Sequence, residues 1–84
     1  MRLRIKRTGE GLHPSEVMIE VETTEGNESL VVDESHLIGD ELNVGWPVGT
    51  KGASFLIELP SETFRGSWRV WVPRGSVVAE REVA

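Results

Sequence analysis

The sequence predicts an all-β fold: a small antiparallel barrel or sandwich of five to seven short strands, with at most one short helical turn. Three observations predict it. Residues 16–24, EVMIEVETT, and residues 53–59 and 67–72, ASFLIEL and SWRVWV, read with a period of two, so that successive side chains go to opposite faces of a strand. Glycine, proline and asparagine punctuate the chain between these runs. The runs are also rich in β-branched and aromatic residues, which pack well on a pleated surface.

Taken in order, residues 2–7 place Leu3 and Ile5 on one face and Arg2, Arg4 and Lys6 on the other. Residues 16–24 place Val17, Ile19, Val21 and Thr23 on one face, with Met18, Glu20 and Glu22 opposite. Gly26-Asn27 suits a two-residue hairpin turn, and residues 29–33, SLVVD, form the returning strand. That turn sets Val21 opposite Val32 and Thr23 opposite Leu30. It also sets Glu20 opposite Asp33, an unfavourable pair of like charges. In residues 34–52, Asp33 or Ser35 is expected to cap one helical turn over His36–Ile38, with Gly39 ending it. ELNV then reads as a short strand. GWPVGTKG is turn-rich, and Pro47 keeps Trp46 out of the α region.

The strongest unit pairs residues 53–59 with 67–72. Leu59 opposite Trp68 brings Ile57 to Val70 and Phe55 to Val72 on one face. The same register brings Glu58 to Arg69 and Leu56 to Trp71 on the other. An apolar face, an ion pair and an aromatic–aliphatic pair all follow from one alignment, and such cross-strand pairs stabilise sheets. Trp68 is expected in the core and Trp71 on the outer face. Pro73, with no N–H to donate, is expected to end the ladder, and SVVAEREV to supply a last strand.

The chain has 84 residues and no cysteine, which predicts one domain without disulfides, zinc thiolates or a thiol nucleophile. MRLRIKR lacks the apolar stretch of a signal peptide, and no run is long enough to span a membrane as a helix. A soluble, cytoplasmic protein is the expectation. The net charge of −5 is unevenly laid out. Arg2, Arg4, Lys6 and Arg7 open the chain, whereas residues 8–50 hold ten acids and no lysine or arginine. Pairing of the cationic ends with the acidic middle accounts for this layout, and the acidic total repels phosphate backbones.

No motif carries chemistry strongly. Asp33, Ser35 and His36 in DESH put an acid, a hydroxyl and an imidazole in a row, but a hydrolytic triad needs them to converge, and no strained nucleophile elbow is present. They read as a capped turn. His13 and His36 match no metal-ligand spacing. GWPVGTKG lacks the spacing of a phosphate loop. Asp40 and Glu41 are ordinary in an acidic chain. No catalytic residue, metal or cofactor is therefore expected.

Two surfaces remain. Leu56 and Trp71 on the outer face, with Arg69, Arg74 and Trp46 around them, have the tryptophan and arginine content of an interface centre. Met18 is a further candidate. A covering loop that makes a second small core, or a small-molecule pocket, would account for the same residues. Alternatively, Arg2, Arg4, Lys6 and Arg69 could grip nucleic acid, with Trp71 and Arg74 stacking on bases, as small barrels do. The cations equally guard an edge strand against aggregation. The strand count and length are similar to SH3-like and other five- to seven-stranded barrels, an analogy of architecture that carries no function. The expectation is a non-enzymatic interaction or structural module with a protein partner, or self-association as a homodimer. A small nucleic-acid-binding barrel is the alternative. No membrane partner is expected.

Overall fold

The computed structural model describes residues 1–78; residues 79–84, the greater part of the expected last strand, lie outside the described residues. Among the described residues, ten short strands follow one another in the order β1 (Arg2–Arg4), β2 (Lys6–Glu10), β3 (Glu16–Thr23), β4 (Gly26–Asp33), β5 (Leu37–Ile38), β6 (Glu41–Asn43), β7 (Gly49–Lys51), β8 (Ser54–Glu58), β9 (Arg69–Pro73) and β10 (Val77–Val78). They form three antiparallel sheets, ordered β10-β1-β6-β5, β2-β3-β4 and β7-β8-β9. The all-β expectation holds. Among the described residues the strands are more numerous and shorter than expected, and the three ladders do not join into a closed barrel.

A lone backbone bond ties the second sheet to the third, from the Thr24 N–H to Trp71 O at 2.9 Å, while the Ile5 N–H donates to Asp40 O at 2.9 Å and extends the β1–β6 ladder to where the chain passes into β2. Apolar residues from all three sheets meet in one core: Leu3, Leu37 and Leu42 from the first, Ile19, Val21, Leu30 and Val32 from the second, and Ile57, Val70 and Val72 from the third, with Leu59 beside them. The inward faces predicted for residues 2–7, 16–24 and 53–59 are thus the buried ones.

The β3–β4 hairpin corrects the predicted register. The turn lies at Thr24-Glu25 rather than Gly26-Asn27, so Thr23 faces Gly26, Ile19 faces Leu30 and Val17 faces Val32. Thr23 makes this turn. Its Oγ1 accepts from the Glu25 N–H at 3.2 Å and donates to Gly26 O, a local bond that competes well with alternative turns. Gly26 follows with φ +116°, a conformation that favours glycine. The displacement is an even number of residues, so every side chain keeps its predicted face. The like-charge pair falls on Glu16 and Asp33, while Glu20 faces Ser29 and accepts from Asn27 Nδ2 at 2.9 Å.

The predicted helical turn is also displaced. A 3₁₀ turn spans Glu34–His36, capped by Asp33, whose carboxylate accepts from the Ser35 N–H at 2.9 Å. Leu37–Ile38 is strand, not helix. Gly39, at φ +60°, opens the two-residue turn to β6 instead of ending a helix. A second 3₁₀ turn, Arg74–Ser76, was not expected.

The β8–β9 register is the predicted one: Ile57 faces Val70, Phe55 faces Val72, Glu58 faces Arg69 and Leu56 faces Trp71. Pro73 is included as the last residue of β9, opposite Ser54. Trp68 is the clear correction. Its carbonyl accepts from the Leu59 N–H at 2.8 Å, as predicted, but it precedes β9 and is 55% exposed. Leu59 fills the inward position at that end, and the chain from 60 to 68 turns away under its own bonds, Thr63 N–H to Ser67 O and Ser67 N–H to Thr63 Oγ1.

Candidate functional site

The outer face of the third sheet is built by two tight connections. Gly52, at φ +57°, opens the two-residue turn that sets Lys51 opposite Ser54 and Gly49 opposite Leu56. The β8–β9 pairing then sets Leu56 opposite Trp71. Gly49, Leu56 and Trp71 thus form one row across three strands. Just before β7, the Val48 N–H also donates to Leu56 O at 2.9 Å, and Val48 is exposed.

Gly49 has no side chain, and this makes room for the indole in the row. A Cβ placed there would lie 3.4 Å from Leu56 Cβ and 3.5 Å from Trp71 Cη2. The indole of Trp71 therefore reaches across Leu56 toward β7. Both side chains are half-buried. The β3–β4 turn meets Trp71 from the other side through the Thr24–Trp71 backbone bond. Two clefts border Trp71 there. One, of about 360 Å³, is lined by Thr24, Glu25, Lys51, Ser54 and Trp71. The other, of about 130 Å³, includes Glu28, Ser67 and Arg69 and shares Thr24 and Glu25 with the first.

The structure brings together three of the five predicted binding residues. Leu56 and Trp71 form the row, and Arg69 lines the smaller cleft while its guanidinium pairs with Glu58 at 3.3 Å. That pair is more than half exposed, so water screens it and its contribution to stability is small. Arg74 and Trp46 line neither cleft. Arg74 stacks on Phe55, with its guanidinium carbon 4.6 Å from the ring centroid. Trp46 is 78% exposed in the connection between β6 and β7. Met18 lies on the second sheet, opposite Val31.

Residues that sequence reasoning missed complete the site: Gly49, Lys51 and Ser54 from the β7–β8 hairpin, and Thr24 and Glu25 from the β3–β4 turn. Gly52-Ala53 was the signal for the first group, since a two-residue turn there fixes Gly49 opposite Leu56. Nothing local in the sequence signals the second group, which a different sheet delivers.

Elsewhere, the basic first segment is partly committed to internal partners. Arg2 pairs with Glu41 at 3.2 Å, and Arg7 donates through Nη2 and Nε to Gly39 O at 2.8 and 3.0 Å, beside Asp40. Arg4 Nη1 reaches Gly75 O at 3.4 Å. The hydroxyl and amide of Ser35 hold the Asp33 carboxyl below its ordinary pKa, as a cap should. His36 lies in the same turn, on the surface. Among the described residues no three of histidine, cysteine, aspartate and glutamate are grouped to hold a metal ion. No helix there is long and apolar enough to cross a membrane.

Compared with known proteins, the chain matches no family model, no curated protein and no solved structure.

Proposed function

We propose that the protein is a non-enzymatic interaction module of the cytoplasm that meets its partner through the outer face of the third sheet, centred on Trp71 and Leu56. Its three sheets serve as an open, barrel-like frame around one core. The observation that carries this reading is the half-buried Trp71, laid across Leu56 beside a strand glycine and bordered by two clefts. What supports the reading is that Trp71 stands on the outer face and lines both clefts. Tryptophan suits this role because it offers a large rigid area with few torsions to freeze. Arg69 and Lys51 supply cations at the rim.

Sedimentation equilibrium and partner capture with the parent and Trp71→Ala test the reading. The expected result is weaker association, as homodimer or with a partner protein, by a variant that stays folded. Association unchanged by the substitution would overturn it. The nucleic-acid alternative has less support, because Arg2 and Arg7 are turned onto Glu41, Gly39 and Asp40, and the surface around Trp71 also carries Glu25 and Glu58. If it held, binding of an oligonucleotide would weaken steeply with added salt.

A further inference from the structure

We infer that the larger cleft beside Trp71 is a binding site for a neutral saccharide, with a sugar ring lying against the indole. This rests on the reading of Trp71 as a contact surface and names what the surface contacts. The face of an indole carries negative potential from its π electrons. The flat side of a pyranose presents C–H groups made electropositive by neighbouring oxygens, so the two surfaces attract and also exclude water from each other.

The remaining lining fits the edge of such a ring. Thr24 and Ser54 contribute hydroxyls, Glu25 a carboxylate and Lys51 an ammonium. Hydroxyls both donate and accept, carboxylates only accept and ammonium groups only donate. A ring of sugar hydroxyls needs that mixture around it. Glu25 and Lys51 line one cleft yet form no ion pair among the described residues, so both are left for a ligand. Their charges cancel, so the site does not select for a charged ligand. An acidic peptide or a phosphate chain would meet Glu25 as well as Lys51, which disfavours both. At about 360 Å³ the cleft is at the small end of the range for ligand sites, roughly 300–1,000 Å³, enough for a short glycan and little more. The smaller cleft continues the same chemistry with Ser67 and Arg69.

The sugar could be free or carried on a partner protein, and the test separates the two. The parent protein is applied to an array of neutral oligosaccharides, and the best binder is titrated calorimetrically against the parent and three variants. Trp71→Ala should weaken binding by up to about tenfold, the loss of one aromatic stack. Glu25→Ala and Lys51→Met alter exposed side chains that the core does not need. Each should weaken binding about fivefold with no change in melting temperature. Because the ligand is neutral, affinity should stay level between about 0.05 and about 0.5 M salt. Equal binding of the oligosaccharide free and on a carrier protein would mean that the sugar alone is recognised. Stronger binding on the carrier would mean that the adjoining Leu56 face adds contacts.

No retention of any neutral glycan would overturn the inference, as would binding that survives Trp71→Ala or falls away with salt. If glycans fail but a protein partner still depends on Trp71, the saccharide is wrong and the contact surface stands. If neither depends on Trp71, both fail.

Discussion

Gly49 and Trp71 are neighbours across Leu56: a Cβ on Gly49 would touch the far edge of the indole at 3.5 Å. A strand is a poor place for glycine, even at its first residue as here, because glycine loses more backbone freedom on folding than other residues and packs nothing. Here the absence of a side chain makes room for the far edge of the indole.

Gly49→Ala should therefore stabilise the fold. Gly49 does not have positive φ, and the new methyl would make ordinary contacts at 3.4–3.5 Å. The expected gain is about 0.4–1 kcal/mol, from reduced freedom of the unfolded chain. Urea unfolding measures it as a raised midpoint at unchanged slope. A lowered midpoint would show that the methyl does not fit beside the indole and Leu56.

The tryptophans should separate from the aliphatic core in a stability scan. Ile57 is fully buried, so Ile57→Ala should cost about 2–5 kcal/mol, a large share of what a domain of this size has. Trp46→Ala should change stability by no more than about 0.5 kcal/mol, and Trp68→Ala by less than Ile57→Ala despite the larger side chain. Thermal unfolding of the three variants checks this order. A Trp68→Ala loss equal to that of Ile57→Ala would return Trp68 to the core.

Asp33 should contribute to stability in a pH-dependent way. Its carboxyl is held below the ordinary 3.8 by the Ser35 hydroxyl and amide. A depressed folded-state value means that the unfolded chain binds the proton more readily. The contribution is then complete above the ordinary value and disappears as the pH falls below it, through the folded value. Asp33→Asn should be less stable than the parent near neutral pH, and the gap should narrow in acid. Denaturant midpoints across an acid series test it. A gap that stays constant would assign the loss to geometry rather than charge.

Much of the fold was legible because several demands agreed in one place. In the strands now assigned to Ser54–Glu58 and Arg69–Pro73, a single register satisfied the apolar face, the Glu58–Arg69 pair and the Leu56–Trp71 pair together, and it is the register observed. The β3–β4 hairpin had only one such demand, its inward face. That face survived, but the turn did not, because the Thr23 hydroxyl outweighed the Gly26-Asn27 signal. Trp68 was misplaced since alternation cannot say where a strand begins. The division into three sheets was not legible at all, as lone bonds such as Thr24 to Trp71 define the seams. The site shows the same split: Leu56, Trp71 and Arg69 came from one hairpin's pattern, while Thr24 and Glu25 reach it through tertiary packing.

The most direct test of the central claim is the unfolding free energy of Trp71→Ala measured beside the parent in denaturant. As a half-buried surface residue, Trp71 should cost less than about 2 kcal/mol on truncation, and the variant should remain cooperatively folded. A loss of about 3–5 kcal/mol, the range for a tryptophan removed from a core, or outright unfolding, would contradict the claim that this side chain is displayed for a partner.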